Sequence, residues 1–508
     1  MRTDNGRSTS VWMEIPHDMT RPALARDVDA DACIVGAGIA GMSVAYELAL
    51  AGKKVVVLDD GPVAGGETCR TTAHLASALD DRFTHLEFLF GKEQAKLAAQ
   101  SHARAIDRIE EIVKTEKIDC GFRRLDGYLF ATPDTTKDDL TKEWDAALRA
   151  GLEASLLDST PLPARGDDLP CIRFSRQGQF HPTLYLAALA GAIERMGGSI
   201  HCGSRAKEMV GGADARVTTA DGKSVRAEHV VVATNSPVND RFSMHTKQAP
   251  YRTYVVALAL PKGAVEPALF WDFQDTYHYV RVLEERERDL LIVGGEDHKT
   301  AQADDARERY ESLENWARER FPMAQAVAER WSGQVYEPAD SLAFIGRNPS
   351  DDDNVYIATG DSGHGMTHGV IAGMLISDLV LGRDNPWTGL YDPARKTPQA
   401  ALEYLKENAN VMKEYCDLVT PGDVSSADEI APDSGAVIRK GIKKIALYRD
   451  PAGSLHAMTA ICPHLGCVVS WNTEEKTWDC PCHGSRFTKH GDVVNGPALS
   501  GLAKESLE

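Results

Sequence analysis

Four cysteines and two histidines crowd a short stretch near the end of the chain. They lie in CPHLGC at 462–467 and CPCHGS at 480–485, within 24 residues. Cysteine and histidine at this density are typical of a zinc site, a pair of disulfide-linked loops or an iron–sulfur cluster. Each of these requires the two segments to fold as neighbouring loops, and the choice among them bears on the function of the whole chain.

Length and charge limit what the rest of the chain can be. With 508 residues it is expected to form two or three domains. A formal net charge of −19 argues against nucleic acid or an anionic membrane surface as the main partner. The stretch 1–24 has no apolar core of signal-peptide length and no apolar run is long enough for a membrane span, so the sequence predicts a soluble, cytoplasmic protein.

The ten cysteines fall into two groups. Four belong to the motif above, where we expect metal or redox chemistry. In a reducing compartment the scattered ones are expected to be mostly inert core thiols; they are Cys33, Cys69, Cys120, Cys171, Cys202 and Cys416.

A glycine-rich turn follows the first predicted strand. The stretch DACIVGAGIAGMSVAYELALAGKKVVVLDD (31–60) predicts strand, turn, helix and strand, with Gly36, Gly38 and Gly41 at the turn and Asp59 closing the second strand. The glycines allow a tight turn and close approach to a pyrophosphate, and the helix N-terminus supplies N–H donors. Because Asp59 is placed to accept ribose hydroxyls, the segment predicts a dinucleotide site.

Three further stretches resemble the family of D-amino-acid oxidase, glycine oxidase and sarcosine oxidase. They are GGETCRTTAHLAS (65–77), VVVATN (230–235) and DSLAFIGRNPSDDDNVYIATGDSGHGMTHGVIAGMLISDLVLG (340–382). The resemblance covers most of residues 30–395 and implies FAD, with a helix N-terminus stabilising the reduced flavin. The cofactor-binding residues it implies are Gly36, Gly38, Ile39, Ala40, Gly41, Asp59, Arg70, Thr71, Thr72, Gly363, His364, Gly365 and Met366.

Two details concern how FAD is held. Some relatives attach FAD covalently through histidine or cysteine, but this chain has Arg70 where such a histidine would lie and no cysteine in SGQVYEPA (332–339). Non-covalent FAD is therefore expected. Gly369 and Gly373 are expected to let the helix after the flavin turn pack closely on a neighbour.

Spacing separates the three kinds of site that the cysteine–histidine motif allows. A structural zinc site often uses paired CxxC knuckles, whereas the pairs here are CxH and CxxH, each with one further cysteine. The stretch CPHLGC…WDCPCHGSRF resembles the Rieske family over about residues 430–500, in which two cysteines and two histidines hold a [2Fe-2S] cluster. The resemblance implies Cys462 and Cys480 on one iron, His464 and His483 on the other, and a disulfide between Cys467 and Cys482.

One departure from the Rieske pattern concerns the reduction potential. High-potential members of the cytochrome bc type have a tyrosine two residues after the serine that follows the second motif, whereas this chain has Ser485 and then Phe487. The serine hydroxyl can donate to a cluster sulfur, but the phenol donor is missing. Because fewer donors stabilise the reduced cluster less, we expect a potential low in the Rieske range of roughly −150 to +300 mV.

The fold class expected is an α/β Rossmann-type FAD-binding domain with an antiparallel α+β substrate domain, followed by a small all-β Rieske domain. The oxidoreductase domain is expected at 1–400, a helix and linker at 401–428, and the Rieske domain at 429–508. The FAD-binding parts are expected at about 28–80, 175–245 and 335–400, and the substrate part at about 81–174 and 246–334. Helical spacing also predicts one long helix over 85–117.

Together the two cofactors imply a two-electron oxidation with one-electron exits, because a flavin exchanges one or two electrons and the cluster only one. The resemblance implies hydride removal from a carbon beside an amine nitrogen, giving an imine that water hydrolyses. The expected function is FAD-dependent oxidation of a C–N bond in a small amine or amino acid. Electrons are expected to leave through the His464/His483 edge of the cluster to an external acceptor, a protein or a quinone.

Substrate contacts are predicted on the strand TYHYVRV (276–282). Alternation places Tyr277, Tyr279 and Arg281 on one face, where two phenols and a guanidinium can hold a carboxylate. An exposed strand face with a salt bridge is the alternative.

Three further residues are candidates for contacts to the flavin or the substrate. Arg70 is expected to approach the flavin, where a cation stabilises the reduced form. Arg252 is a second candidate for the substrate, and His181 is either a substrate contact or a neighbour of a helix cap.

Three other functions are compatible with parts of the sequence. A Rieske oxygenase needs a mononuclear iron held by two histidines and a carboxylate, and Asp361, His364 and His368 offer such a set inside the flavin turn. A flavin–Rieske electron-transfer protein or reductase would feed a partner with electrons from NAD(P)H, although only one nucleotide fingerprint is present. A redox sensor or carrier would have a flavin pocket without a turnover substrate.

Overall fold

The structure, a computed structural model, describes residues 6–162, 169–239, 242–274 and 276–506. Residues 1–5 and 507–508, the outermost parts of the first and last domains expected from the sequence, lie outside these ranges.

The elements follow one another along the chain in three groups. The first group is β1 (Val28–Val35), α1 (Ile39–Leu50), β2 (Val55–Leu58), β3 (His74–Leu75), α2 (Phe83–Phe90), α3 (Lys92–Glu116), β4 (Arg123–Phe130), α4 (Lys137–Arg149), β5 (Ala154–Leu157), β6 (Cys171–Gln179), α5 (Pro182–Arg195) and β7 (Ser199–His201). The second is β8 (Ala206–Val210), β9 (Arg216–Thr219), β10 (Ser224–Val232), β11 (Gln248–Leu260), β12 (Leu269–Asp272), β13 (Tyr279–Glu284), β14 (Asp289–Lys299), α6 (Ala306–Arg320), β15 (Val327–Pro338), β16 (Phe344–Arg347), β17 (Val355–Thr359), α7 (Gly365–Val380) and α8 (Thr388–Tyr391). The third is α9 (Ala401–Glu414), β18 (Ser434–Lys440), β19 (Lys443–Arg449), β20 (Leu455–Thr459), β21 (Ser470–Asn472), β22 (Thr477–Asp479), β23 (Arg486–Thr488) and β24 (Val493–Asn495).

The first sheet has the strand order β16-β17-β10-β1-β2-β7, with β8 and β9 added beside β10. Its central strands β1, β2, β10 and β17 are parallel. Residues 32–35 and all of β2 are buried, as expected of strands covered on both faces. The predicted α/β nucleotide-binding architecture is therefore confirmed.

The second sheet has the order β15-β11-β14-β13-β12-β4-β6-β3, with β5 beside β6. Most of its pairs are antiparallel. The strand predicted at 276–282 overlaps β13, which forms an antiparallel hairpin with β14. Helix α6 packs on one face of the sheet, and the other face meets the first sheet at the site described below.

The helix predicted over 85–117 is wrong as a single element. It is two helices, α2 and α3, separated at Gly91, whose φ is +80°. A left-handed residue cannot continue an α-helix, and glycine adopts that conformation at little cost. The chain therefore turns at Gly91.

The last group of elements forms a small all-β unit, here called the C-terminal module (residues 430–506). It contains a three-stranded sheet, β18-β19-β20, and a four-stranded sheet, β21-β22-β23-β24, both antiparallel. Its core includes Trp478, Phe487, Tyr448 and Met458. The predicted all-β module is confirmed.

Two expectations about the whole chain can be checked at this level. Five of the six scattered cysteines are buried, whereas Cys416 is exposed and is not a core thiol. Among the described residues, none of the helices combines the length and the apolar character needed to cross a bilayer.

Candidate active site and metal centre

The glycine turn between β1 and α1 is tightly packed. Gly36 has a φ of +109°, and a Cβ added at Gly41 would overlap the carbonyl oxygen of Gly36. The N–H of Ile39 donates to the Thr68 hydroxyl at 3.0 Å. These contacts fix the start of α1 with its N–H groups at the carboxyl end of the parallel strands, where phosphate is bound in such folds.

Asp59 lies at the end of β2 and faces this turn. Its Oδ2 accepts from the N–H of Ala37 at 2.6 Å, and its Oδ1 accepts from the N–H of Gly61 at 2.7 Å. Burial, with a smaller effect of neighbouring Asp60, raises the pKa of Asp59 to about 7. The carboxylate is thus oriented by the main chain at the edge of the cavity.

A cavity of about 400 Å³ lies between the two sheets. It is lined by the glycine turn, the N-terminus of α7, strands of the second sheet and segment 493–499 of the C-terminal module. Gly41 does not line it but supports Gly36. The other residues predicted to bind the cofactor do line it: Gly36, Gly38, Ile39, Ala40, Asp59, Arg70, Thr71, Thr72, Gly363, His364, Gly365 and Met366.

Helix α7 lies directly against α1. A Cβ added at Gly369 would lie 2.7 Å from Ile39 Cγ2, and one at Gly373 would lie 2.7 Å from Ser43 Cβ. The predicted close packing at these glycines is confirmed. It brings the N-terminus of α7 beside the glycine turn of α1, so the two helix ends face the same cavity.

The three residues predicted on one face of the strand 276–282 separate in the structure, where β13 begins only at Tyr279. Tyr277 and Tyr279 line the cavity with ring centroids 5.3 Å apart. Arg281 is buried elsewhere, and its NH1 donates to the carbonyl oxygens of Thr72, Ala73 and Phe180 at 2.8–3.2 Å. Arg281 is therefore occupied by the main chain.

His181 is the N-cap of α5. Its Nδ1 accepts from the N–H of Leu184 at 3.4 Å, and its ring meets Trp12 edge to face at 4.9 Å. Burial lowers its pKa to about 4. These contacts favour the helix-cap alternative.

The cysteine–histidine motif forms two similar loops in the C-terminal module. The N–H of Gly466 donates to the carbonyl of Cys462 at 3.0 Å, and the N–H of Gly484 donates to that of Cys480 at 3.1 Å. Cys467 and Cys482 form a disulfide that ties the loops together. The predicted disulfide is confirmed.

The four predicted ligands face each other across these loops. Hydrogen bonding from Cys480, aided by N–H groups of the loop, lowers the pKa of Cys462 despite burial. The rings of His464 and His483 lie 5.0 Å apart at 89°. Nδ1 of His483 is buried and, within the described residues, has no hydrogen-bond partner. Two thiols and two imidazoles arranged in this way fit a Rieske cluster.

The histidine pair packs against the first part of the chain. The buried ring of His245 meets His464 at 4.7 Å and His483 at 5.7 Å. Tyr336 donates to the carbonyl of His483 at 3.1 Å, and Gln334 donates to that of Gly484 at 2.9 Å. The edge that was predicted to meet an external acceptor is thus largely covered: His483 is buried and His464 is half-buried.

A buried carboxylate joins the C-terminal module to the first part of the chain. Glu475, in the turn between β21 and β22, lies 3.6 Å from Arg70 and 3.4 Å from Arg252, with all three side chains at most 1% exposed. Ser8 and Ser332 also donate to it. Arg70 and Arg252, both predicted to act on the flavin or substrate, are therefore engaged by Glu475.

The set predicted for a mononuclear iron does not converge. Nε2 of His364 accepts from the N–H of Asp80 at 2.9 Å, whereas Nδ1 of His368 bonds the carbonyl of Asp361 at 2.8 Å. Among the described ranges, these residues do not form a group whose ligand atoms lie within 4.8 Å of one another. The geometry therefore disfavours the oxygenase alternative.

Comparison with protein-family models decides the class of the first part. Residues 31–379 match the model described as FAD dependent oxidoreductase. The chain belongs to the FAD dependent oxidoreductase family. Residues 420–505 match the model of the Rieske [2Fe-2S] domain, so the C-terminal module is a Rieske domain. The predicted cofactors, FAD and one [2Fe-2S] cluster, are confirmed.

Individual proteins match either nearly the whole chain or about 70% of it. A Bacillus subtilis (strain 168) chain named as a Rieske 2Fe-2S iron-sulfur protein, YhfW, is 31% identical and covers 96% of this chain and 95% of its own length. The gamma-glutamylputrescine oxidoreductase of Escherichia coli (strain K12) is 27% identical over 71% of this chain and 85% of its own. The crystal structure of glycine oxidase from Geobacillus kaustophilus, 20% identical, shares the fold with a TM-score of 0.60 over 72% of this chain and 99% of that one.

The residues that line the cavity fit FAD. The glycine cradle leaves room for a pyrophosphate, and the buried Nδ2 of Asn235, which lines the cavity, has no partner among the described residues. Sequence reasoning missed Glu475, His245 and Asp297, which also lines the cavity. Glu475 lies in the polar turn TEEK, whose composition gave no sign of burial.

Replacing Gly41 with alanine is expected to destabilise the FAD-bound protein by about 1–3 kcal/mol and to lower its FAD content. The new methyl group overlaps the main chain of Gly36, which cannot move aside without widening the turn. The flavin-to-protein absorbance ratio and the melting temperature measure the effect. Gly389→Ala, which has open space around the added Cβ, is the control, and equal FAD content in both variants would contradict the prediction.

Proposed function

We propose that this protein oxidises the C–N bond of a small amine or amino acid in the cytoplasm and passes the electrons singly through its Rieske domain to an external protein or quinone. The observation that carries the proposal is that both parts of the chain line one cavity. Segment 493–499 of the Rieske domain lines the same cavity as Gly36 and Asp59 of the oxidoreductase part. Electron transfer requires donor and acceptor to lie close together, and this cavity joins the two sites within one chain.

The cavity residues have binding and positioning roles in this proposal. FAD, when bound, supplies the acceptor for a hydride from the carbon beside nitrogen. The hydroxyl of Tyr277 donates to Asp80 at 2.8 Å, and that of Tyr279 bonds the Thr253 hydroxyl at 2.7 Å. Burial raises the pKa of both tyrosines well above the ordinary value. They therefore act as fixed neutral hydrogen-bonding groups and not as bases.

FAD is held without a covalent bond in this proposal. Arg70 stands where some relatives carry an attachment histidine, and its NH1 donates to Ser8 Oγ at 2.8 Å and to the Ser332 carbonyl at 3.0 Å. The N–H groups at the starts of α1 and α7, which both face the cavity, supply the phosphate and flavin contacts.

The names of related proteins support C–N chemistry. Both the gamma-glutamylputrescine oxidoreductase and the glycine oxidase are named for substrates that contain an amine nitrogen. Because the Rieske domain is docked on the oxidoreductase part, we place the electron exit at the half-buried His464, beside exposed Pro463, and the entry at buried His483.

An anaerobic titration of the holoenzyme with amines and amino acids tests the proposed function. Bleaching of the flavin absorbance, followed by the electron paramagnetic resonance signal of a reduced Rieske cluster, is the expected result. If NADH produces both changes and no amine or amino acid does, the protein is instead a reductase that feeds a partner. If none of these compounds reduces the flavin, a sensor or carrier role replaces the enzyme.

A further inference from the structure

The charged side chains that line the cavity are mostly acidic. Among the described residues, the arginines in its wall are Arg70 and Arg205, and no lysine lines it. Arg70 meets Glu475, and Arg205 meets Asp60 at 2.9 Å. Both guanidinium groups are thus already paired with carboxylates of the protein.

The arginines that could have held a substrate carboxylate are also committed. Arg281 donates to three main-chain carbonyls and does not line the cavity. Arg252 donates to the Ser332 hydroxyl at 2.7 Å and lies 3.4 Å from Glu475. Three imidazoles line the cavity, but Nε2 of His364 accepts from the Asp80 N–H, and burial lowers the pKa of both His74 and His368 to about 3. The cavity therefore offers a carboxylate no uncommitted cation.

Three carboxylates remain on the side of the cavity formed by the second sheet. Asp80 accepts from Tyr277, and Glu337 accepts from the Ser362 hydroxyl at 2.9 Å. Asp297 on β14 lines the same wall, and its buried Oδ1 has no hydrogen-bond partner among the residues that the structure describes. Burial raises the pKa of Asp297 to about 6 and that of Glu337 well above its ordinary value. Burial of several uncompensated carboxylates is costly unless a cation joins them.

We propose that the substrate is a cationic amine without a carboxylate group, bound by Asp297 with Asp80 and Glu337 nearby. This inference rests on the proposed function and narrows it, because it excludes α-amino acids as the main substrates. An ammonium group brings N–H donors that the carboxylate of Asp297, which lines the cavity, can accept. The carboxylate of an amino acid would instead face three acidic side chains.

Matched substrate pairs test the inference on the full-length holoenzyme. Butylamine and norvaline, and likewise 1,4-diaminobutane and ornithine, differ only by the α-carboxylate. Under anaerobic conditions each amine is expected to reduce the flavin at least about 10-fold more efficiently than its amino acid, because the α-carboxylate of the amino acid would lie beside the acidic side chains of Asp80, Asp297 and Glu337. Faster reduction by the amino acids would overturn the inference and leave the proposed function standing. If neither class reduces the flavin and NADH does, the proposed function itself fails.

Binding without turnover gives a second readout. tert-Butylamine has no hydrogen on the carbon beside nitrogen, so it cannot be oxidised, and pivalate has the same shape with the opposite charge. The amine is expected to perturb the flavin spectrum with a Kd at least about 10-fold lower than that of pivalate. A Kd for pivalate equal to or below that of the amine would overturn the inference.

Substitutions of Asp297 test whether this residue binds the ammonium group. Asp297→Asn is expected to raise the Kd for tert-butylamine about 10- to 100-fold, and Asp297→Glu is expected to restore part of the affinity. Asp214→Asn, the same change at an exposed position outside the cavity, is the control and is expected to leave the Kd unchanged. Equal Kd values for Asp297→Asn and the unaltered protein would remove Asp297 from the binding site.

Discussion

Glu475→Ala is expected to lower the free energy of unfolding by about 3–5 kcal/mol, the effect of removing one partner from a buried ion pair. Arg70 and Arg252 flank this carboxylate, and neither guanidinium has more than 1% of its side chain exposed. Without Glu475, both positive charges remain buried beside Arg486, which is itself fully buried. The loss therefore reflects uncompensated charge as well as the missing contacts.

Chemical denaturation of the holoenzyme, followed by flavin fluorescence and by the cluster absorbance, measures this loss. Both probes are expected to shift together, because Glu475 belongs to the Rieske domain and its arginine partners to the oxidoreductase part. Glu474→Ala, in the same turn but half-buried, is the control. Similar unfolding midpoints for the two variants would show that the buried cluster contributes little.

The pH dependence of stability gives a second measure of the interaction between Glu475 and the arginines. Although burial opposes it, Arg70, Arg252 and Arg486 hold the pKa of Glu475 below its ordinary value of 4.5. A depressed folded-state pKa contributes stability above the unfolded value that is lost as the pH falls through the folded value. The stability of the unaltered protein should therefore fall below pH 4.5 more steeply than that of Glu475→Gln.

Local motifs in the sequence predicted the parts of the site that depend on spacing alone. The turn at Gly36 and Gly41 and the loops at Cys462 and Cys480 are formed by residues close together in the chain, so their geometry follows from the sequence interval. The same local reasoning failed at Gly91, because helical periodicity continues through the break and only a left-handed φ reveals it.

Contacts between distant segments were not predictable in this way. Arg281 was expected to hold a substrate carboxylate, but strand alternation predicts only which face of a sheet a side chain lies on, not what packs against that face. The main-chain carbonyls that bind the Arg281 guanidinium come from residues about 100 and 200 positions away. Glu475 likewise appears in the sequence as an ordinary turn residue. Its burial depends on Arg70 and Arg252, which lie in another domain.

Cys480→Ser is expected to abolish the Rieske electron paramagnetic resonance signal and to slow electron delivery to an artificial one-electron acceptor about 100-fold or more, because the change removes a thiolate that is predicted to bind the cluster. Flavin content and the rate of flavin reduction by substrate should change little, since the substrate side of the cavity is formed by the second sheet and by Asp80. Separate measurement of the anaerobic half-reaction and of steady-state acceptor reduction distinguishes these two steps.

The control for this variant is Cys416→Ser, which replaces an exposed, unbridged cysteine outside the cluster loops. It is expected to keep the signal and both rates. Circular dichroism of Cys480→Ser verifies that the module remains folded, as expected because the disulfide between Cys467 and Cys482 still joins the two loops. If the folded, cluster-free variant still reduced the acceptor at the original rate, electrons would leave directly from the flavin and the Rieske domain would not be their exit.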